Sequence, residues 1–371
     1  MMPHPLTPTR RPARGPIESM NTALRTTAWS ITAALGIAGA ASAQKDRIVL
    51  TDGSVIDGVQ VTSFDLRNVE FKRRGTGESK STDQVASLEV QKVKEAFRRA
   101  YSSIGTNEAP GNFLQEAERQ SDLFLKQFGY QEAARLFLKN GQYAEAFQVL
   151  EELASKCPDS GFLPMTHQVK LDYYLAQGKA KAGDASTVAK RYSLAATTQG
   201  YPQGFILESR FYETMAQAAA GGLTPDRLRS ALRSIQNEAG AYPNIANRCR
   251  VQIAETLRAE NKVDEARSEF EDLLERDGIS QAVQAQAWLG LGNCQFAAGT
   301  PSNREPFRDA LLSFLRIVVE TDSADPSTIA EALYMGAQAA DKWGGEDAGR
   351  MGRVLRGRLK RDYPDSEFAR R

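Results

Sequence analysis

The chain has 371 residues, of which 41% are hydrophobic and 25% are charged. These fractions are typical of a folded globular protein, so they exclude a mainly disordered chain and a protein with many membrane spans. The 47 Lys and Arg residues nearly balance the 46 Asp and Glu residues, and this balance gives no indication of a nucleic-acid partner.

Residues 1–43 are predicted to be an N-terminal extension followed by a secretory signal peptide, with translation starting at Met20. A short basic start precedes an apolar run over 28–41, and the run ends in the tripeptide Ala-Ser-Ala. This ending predicts cleavage between Ala43 and Gln44. The run is too short for a permanent membrane span, and no cysteine lies near the cleavage site. The sequence therefore predicts an exported chain that is periplasmic or envelope-associated and has no lipid anchor.

Residues 44–91 are predicted to form a small antiparallel β module. The Asp52-Gly53 pair stands between two β-prone runs, and such a pair is the strongest short-range signal for a hairpin. Four or five short strands are expected here, which favours a curled sheet or barrel of the SH3-like or Sm-like kind. A sheet of this size has little core of its own, so we expect it to pack against the helices that follow.

The second strand of the β module is expected to contain a β-bulge at Gly58. Allowing for this bulge, the period of two places Val55, Val59 and Val61 on one face of the sheet. The basic run Lys72–Arg74 precedes a glycine turn, and we expect it to be a solvated hairpin tip rather than a nucleic-acid site.

The segment 113–371, which follows a predicted connecting helix and linker over 92–112, has the pattern of paired helices. Apolar residues recur at i, i+3, i+4 and i+7, the spacing of one buried helix face. Small residues at fixed positions let two helices approach closely, and large ones fill the groove between them. Three copies of this order contain Ala134, Phe137, Ala146 and Leu150; Ala254, Ala266 and Phe270; and Trp288, Leu291, Gly292, Ala310 and Phe314.

These copies resemble the tetratricopeptide repeat, whose signature is W-x2-L-G-x2-Y…A-x3-F…P. The resemblance implies a mainly α fold, in which an α-solenoid of helical hairpins follows the β module. Weaker copies fill the intervals, and the fifth unit is expected to have a longer turn over Pro301–Phe307. The small position of the second helix recurs every 38 to 44 residues and predicts six hairpins, at Ala146, Val188, Leu228, Ala266, Ala310 and Ala348.

A second resemblance is local. The sequence Pro-Asp-Ser follows a predicted helix at Pro158 and again at Pro364. This ending is similar to the repeats of exported envelope-assembly proteins of Gram-negative bacteria, such as the BamD-type and Tol-Pal-associated tetratricopeptide families. The resemblance implies a location in the bacterial cell envelope.

The family resemblance also suggests a binding surface. In tetratricopeptide folds the first helix of each hairpin lines a groove for partner proteins. Carried over to this chain, the groove positions are Arg135, Lys139 and Asn293. Because Glu255 occupies the corresponding position of another copy, the full pattern that clamps a peptide carboxylate is absent.

The sequence contains no recognisable catalytic, cofactor-binding or metal-binding motif. His167 is the one histidine after the predicted cleavage site, and we expect a surface or packing residue. Cys157, Cys249 and Cys294 are widely spaced, and we expect small buried apolar residues, with one disulfide plus a free thiol as the alternative. Adjacent acidic pairs such as Glu151-Glu152 do not share a helix face, so they are expected to be solvated.

The carboxyl-terminal part of the chain is basic. Residues 350–371 contain eight Lys or Arg residues and three Asp or Glu residues. This excess is compatible with weak contact to an anionic lipid or wall polymer. The bland alternative, which we favour, is a solvated capping helix whose cations favour its own carboxyl end.

The sequence as a whole predicts an exported, non-enzymatic scaffold that binds other proteins in the cell envelope, with no cofactor and no nucleic acid. One alternative is a cell-wall-associated accessory factor or weak hydrolase without a recognisable motif. Another is a self-assembling structural protein that pairs through the exposed edge of the small sheet.

Overall fold

The computed structural model describes residues 46–276, 278–320, 326–364 and 366–371. The predicted cleavage site at Ala43 and Gln44 therefore lies outside the described residues.

The first elements of the described chain are five strands, numbered β1 to β5, that form one sheet. Neighbouring strands are antiparallel, and their order across the sheet is β4-β3-β2-β1-β5. The predicted antiparallel β module is therefore confirmed, whereas its SH3-like or Sm-like assignment stays a prediction. The five strands are β1 Asp46–Leu50, β2 Val55–Phe64, β3 Asn68–Arg73, β4 Thr76–Ser81 and β5 Val85–Glu89.

Two local features set the register of the β1–β2 hairpin. In its turn, the Asp52 carboxylate accepts hydrogen bonds from the backbone N–H and the hydroxyl of Ser54, at 2.8 and 2.6 Å. Within β2, Gly58 has a φ of +72°, and the pairing register of β1 with β2 shifts at this residue. The expected β-bulge is therefore present.

The bulge changes which side chains of β2 face the core. Val59 and Val61 are buried, at 3% and 6% exposure, whereas Val55 is 40% exposed. An extra residue at Gly58 inverts the alternation of side chains along the strand, so Ile56 packs against the core instead. The prediction that Val55 shares a face with the other two valines is wrong for this reason.

Fifteen α-helices follow in the described part of the chain. Three short ones come first: α1 Gln91–Ala96, α2 Arg98–Ser102 and α3 Ala109–Arg119. The other twelve form six hairpins, so the mainly α fold of paired helices is confirmed. Numbered 1 to 6, the hairpins are α4 Leu123–Lys139 with α5 Tyr143–Lys156, α6 Leu163–Ala176 with α7 Ala182–Thr198, α8 Gln203–Ala219 with α9 Pro225–Glu238, α10 Pro243–Ala259 with α11 Val263–Leu274, α12 Gln281–Ala298 with α13 Glu305–Glu320, and α14 Pro326–Trp343 with α15 Glu346–Asp362.

The structure departs from the sequence pattern in three places. The predicted connecting helix is divided at Phe97 into α1 and α2. Hairpin 5 has the long turn that was expected, since residues 299–304 separate its helices. However, α3 begins at Ala109 with Pro110 in its first turn, so the linker expected up to residue 112 is shorter. In α7, Val188 is half-buried while Ala185 and Ala189 are fully buried, so the small position of hairpin 2 is not Val188.

Glycines permit the closest contacts between the helices of hairpins 4 and 5. A Cβ atom built on Gly292 of α12 would lie 2.6 Å from the Phe314 ring of α13. A Cβ atom on Gly290 would lie 2.1 Å from the Phe270 ring of α11. Because these distances leave no room for a methyl group, each ring packs directly on the backbone of α12. The other residues of the repeat signature are buried, namely Ala134, Ala146, Leu150, Ala254, Ala266, Leu291 and Ala310, or half-buried, namely Phe137 and Trp288.

The sheet and most of the hairpins share one hydrophobic core. It extends from Ile48 in β1 through the helices to Cys294 in α12. A second cluster joins part of α12 to α13, α14 and α15. Cys157, Cys249 and Cys294 are buried free thiols, as expected of small apolar residues, and they form no disulfide with one another.

The sheet lies along the loops that connect successive hairpins. At the first of these loops, between α5 and α6, Leu66 donates its backbone N–H to the Asp159 carbonyl at 2.9 Å. Asp65 forms an isolated antiparallel bridge with Ser160. The Phe64 ring packs on the Phe162 ring with 4.9 Å between centroids. The β2–β3 turn is therefore attached to hairpins 1 and 2 by backbone and aromatic contacts together.

The same edge of the solenoid contacts the sheet at three later loops. Between α7 and α8, the side chain of Arg67 lies beside Gly200. At the start of α8, the Asp83 carboxylate accepts a hydrogen bond from the backbone N–H of Gly204 at 2.7 Å, and Tyr242 of the next loop lies beside it. Between α11 and α12, Gly278 lies next to the carbonyl of Asp52. The expectation that the sheet packs against the helices is confirmed, and its position is along the loops rather than at the front end of the solenoid.

Candidate partner-binding site

The predicted groove residues Arg135 and Lys139 lie in α4 of hairpin 1. Arg135 is half-buried and forms an ion pair with Glu132 at 2.7 Å. Lys139 is exposed at the last residue of the helix. The guanidinium of Arg135 is therefore already partnered, and a ligand would have to compete with Glu132 for it.

Asn293 lies in α12 of hairpin 5, so three hairpins separate it from the other two groove residues. It is half-buried. Glu255, which breaks the clamp pattern, is buried in α10 and pairs with Arg258 at 2.6 Å. The structure thus places the predicted groove residues in different parts of the solenoid and does not bring them into one cluster.

A network of buried polar groups connects α6, α7, α8 and α10 around Glu208. Arg248 donates to one carboxylate oxygen at 2.7 Å. Tyr192 donates to the other oxygen at 2.9 Å, and Gln168 contacts the same atom. Burial, together with the charge of Glu208, raises the pKa of the Tyr192 hydroxyl well above its usual value. Because side chains of α6, α7 and α10 all donate to this one carboxylate of α8, we assign the network to holding the hairpins in register.

The first of two clefts between the sheet and the solenoid is the β2–β3 cleft. It has a volume of about 820 Å³ and is formed by the β2–β3 turn, the end of α5, the loop after it, and helices α6 and α7. Apolar side chains such as Leu66, Leu163 and Val188 form part of its wall. Its charged and titratable side chains are Asp65, Arg67, Glu151, Asp159, His167, Lys170, Arg191 and Tyr201.

His167 lies in the β2–β3 cleft and not on an open surface. Its ring stacks on Tyr192 at 5.0 Å between centroids with an interplanar angle of 15°. Burial, and then the positive charges of Lys170 and Arg191, lower the pKa of His167 to about 4, while Glu151 acts in the opposite direction. The imidazole is therefore neutral near pH 7, and it has the packing role that the sequence suggested.

The second cleft, the β5 cleft, lies beside β1 and β5. It has a volume of about 610 Å³ and is also lined by the amino-terminal halves of α8, α10 and α12. The network residues Gln168, Glu208 and Arg248 line it. Most of the exposed area of its wall is apolar, so the β5 cleft presents more apolar contact area than charged groups.

The sequence did not reveal the two clefts, because their walls come from distant parts of the chain. One local signal was available, since His167 and Lys170 are three residues apart and share a face of α6. Nothing in the sequence links that pair to Arg67 or Arg191. These residues meet only after the sheet has packed on hairpins 1 and 2.

Among the described residues, no group of three or more His, Cys, Asp or Glu side chains could hold a metal ion. None of the described helices has the length and apolar character that crossing a membrane requires. Glu151, Glu271 and Asp272 belong to adjacent acidic pairs and are exposed on the second helices of their hairpins, as expected of solvated side chains.

The basic carboxyl-terminal segment is extensively paired within the molecule. Arg356 pairs with Asp341 at 2.7 Å, and Arg371 pairs with Glu367 at 3.0 Å. Arg361 and Arg358 both pair with Asp362. This pairing reduces the charge available to an anionic surface, whose contact with this segment stays a prediction.

Two models of the tetratricopeptide repeat match the chain, one at residues 130–160 and one at residues 251–303. The first match covers most of hairpin 1, and the second covers the second half of α10 together with α11 and α12. The chain therefore contains tetratricopeptide repeats, at positions that coincide with the first two copies read from the sequence and with the first helix of the third. A comparison with curated protein sequences gives no significant match.

Proposed function

We propose that this chain is an exported scaffold that binds protein partners in the bacterial cell envelope. The observation that carries the proposal is the array of six helical hairpins, parts of which match the tetratricopeptide repeat. Such arrays present extended surfaces that bind segments of other proteins. Their usual role is as non-enzymatic scaffolds, which agrees with the lack of a catalytic motif in the sequence.

Export is supported by the sequence pattern of residues 20–43 and by the Pro-Asp-Ser endings that resemble envelope-assembly repeats. The test is a fusion of residues 1–60 to an alkaline phosphatase that is active only outside the cytoplasm. We expect activity and, after sequencing of the processed amino terminus, Gln44 as the first residue. An inactive fusion would contradict export and leave the scaffold proposal standing.

Partner binding is tested by crosslinking the tagged full chain in intact cells and identifying the attached proteins by mass spectrometry. We expect a reproducible protein partner. If the groove lies where the resemblance suggests, the combined variant R135A, K139A and N293A loses this partner. A partner that survives these changes supports the scaffold and moves its binding surface to another site. Wall fragments with no protein partner would support the wall-associated alternative.

A further inference from the structure

The edge of the described sheet at β4 is open to solvent. β4 lies at one end of the strand order and pairs with β3 alone. Its first four residues, Thr76–Ser79, are exposed, and the last two are half-buried. At the other end of the sheet, each residue of β5 is buried or half-buried, and α8, α10 and α12 line the cleft beside it. Of the two edges, β4 is therefore the one that another strand can reach.

The backbone of β4 has hydrogen-bonding groups directed out of the sheet. Arg73 and Thr76 flank the two-residue turn Arg74-Gly75, and the residues that flank such a turn form a hydrogen-bonded pair. Hydrogen-bonded and non-hydrogen-bonded pairs alternate along an antiparallel ladder, and the register of β3 with β4 is continuous. Gly77 and Ser79 therefore direct their N–H and C=O groups away from β3.

Two side chains of β4 carry opposite charges at this edge. Glu78 and Lys80 are two residues apart, so they point to the same face of the sheet. Within the described residues neither of them forms an ion pair. Lys80 attracts Asp52 at longer range, but the hydrogen bonds of that carboxylate come from Ser54. The two charges of β4 are thus available for pairing across the edge.

An antiparallel pair of two β4 strands matches these charges. When the two-fold axis passes beside Ser79, Glu78 of each copy lies opposite Lys80 of the other. Ser79 directs its backbone groups outward, so it forms the hydrogen-bonded pair at the axis. The Glu78–Lys80 pairs are then of the non-hydrogen-bonded kind, in which the Cα atoms are only about 4.5 Å apart and the side chains are closest.

The register follows from the order of the charges along β4. Like charges directly opposite each other destabilise a sheet, whereas opposite charges stabilise it. An axis at Glu78 or at Lys80 would place that residue opposite its own copy. Charged residues on an edge strand protect it from pairing when equal signs meet. β4 instead carries one charge of each sign at positions that the axis at Ser79 exchanges, so this edge is complementary to itself.

We propose that two copies of this chain associate through antiparallel pairing of their β4 strands, with Glu78 of each copy opposite Lys80 of the other. The inference goes beyond the proposed function and does not depend on it, because the solenoid takes no part in the contact. It gives the self-assembly alternative a strand, a register and an axis. A two-fold dimer of this kind is closed, and it joins two solenoids so that a partner with two binding segments is held more tightly.

The test is the oligomeric state of the purified full chain and its variants, measured by sedimentation velocity over a range of concentrations. The unaltered chain should form a dimer in a concentration-dependent manner. E78K and K80E each place like charges opposite each other at both symmetric contacts, so each should weaken the dimer at least about tenfold. The double variant E78K/K80E exchanges the two charges, and it should recover the affinity of the unaltered chain to within about threefold.

Two further variants test the strand pairing and the specificity of the charge effect. S79P removes the outward N–H at the axis and should abolish the dimer, while β4 stays paired with β3 because proline is tolerated where an edge N–H faces solvent. R233E reverses an exposed charge on α9, and it should change the affinity less than about twofold. Circular dichroism checks that each variant keeps its helices, as expected for changes at exposed or half-buried positions.

Four outcomes would overturn the inference. They are a monomer at every concentration of the unaltered chain, a dimer that E78K and K80E leave unchanged, a double variant that does not recover what the single variants lose, and a dimer that survives S79P. All variants keep residues 1–45, so association through that segment would be common to all of them. The scaffold proposal is tested separately by partner capture in cells, so either proposal can fail while the other stands.

Discussion

Single residues decide how closely the helices of the solenoid approach one another. Gly290 and Gly292 stand where two phenylalanine rings contact the backbone of α12, and no side chain fits between them. The repeat signature predicted a small residue at Gly292, because the signature consists of the residues that make such contacts between helices. Gly290 was not singled out, since a glycine next to the signature has no distinct pattern of its own.

The variant G292A should destabilise the protein. Its Cβ would lie 2.6 Å from the Phe314 ring, and overpacking of this kind costs about 1–3 kcal/mol. The matched control is G183A in α7, where a Cβ would meet no atom within 4 Å, and where alanine is favoured in a helix by up to about 1 kcal/mol. Urea unfolding of both variants measures the difference. Equal stability of the two would show that the ring of Phe314 is not held against α12.

His167 makes the stability of the protein depend on pH. Its pKa is lowered from 6.5 to about 4 by burial and by two neighbouring cations, so the unfolded chain binds the proton more readily than the folded one. This contribution is present above about pH 6.5 and is lost as the pH falls from 6.5 towards 4.

The pH dependence of unfolding should therefore be shallower in H167Q than in the unaltered chain between pH 4 and 6.5. One proton corresponds to a slope of at most about 1.4 kcal/mol per pH unit. Urea unfolding at several pH values measures it for both proteins. Identical slopes would mean that the imidazole is solvated in the folded state.

At the scale of elements, the strands and hairpins could be predicted, but their mutual arrangement could not. The period of two, the Asp-Gly turn and the repeat spacing are local signals that each element contains. The docking of the sheet depends on pairs such as Asp83 with Gly204, which are 121 residues apart. The exposed position of Val55 was missed for a local reason, because a bulge changes the face without leaving a sequence mark beyond Gly58.

The variant D83A tests the docking of the sheet on α8. It removes the carboxylate that accepts the Gly204 N–H, and a buried donor without an acceptor costs about 1–3 kcal/mol. The control D57A breaks the exposed pair of Arg47 and Asp57, where a loss below about 1 kcal/mol is expected. Chemical unfolding measures both. A loss in D83A no larger than in D57A would contradict a tight contact at this position.

At the scale of the whole molecule, the two hydrophobic clusters predict two levels of stability. The sheet and the helices up to α11 belong to one cluster, while α14 and α15 belong to the other. Elements that share a core tend to open together, and elements at the end of a repeat array open more easily.

Hydrogen exchange followed by mass spectrometry should show this division. Peptides of β1, β2 and β3 should exchange at the rate of those from α8 and α10, and peptides of α14 and α15 should exchange faster. A sheet that exchanges well before α8 would show that it is an independent module. That result would also remove the β2–β3 turn as a fixed wall of the β2–β3 cleft.

The central claim is that this chain, which contains tetratricopeptide repeats, is a scaffold that binds a protein partner. The most direct measurement is site-specific crosslinking in intact cells from a photoreactive residue placed at one of three exposed positions. Gln199 lines the β2–β3 cleft, Lys139 is a predicted groove residue, and Arg233 on α9 serves as the control.

We expect a reproducible protein product from position 139 or from position 199, with no product from position 233. The position that gives the product assigns the contact to the predicted groove or to the β2–β3 cleft. If positions 199 and 139 both give no protein product, while the chain is present in the envelope at its normal level, the scaffold account is contradicted.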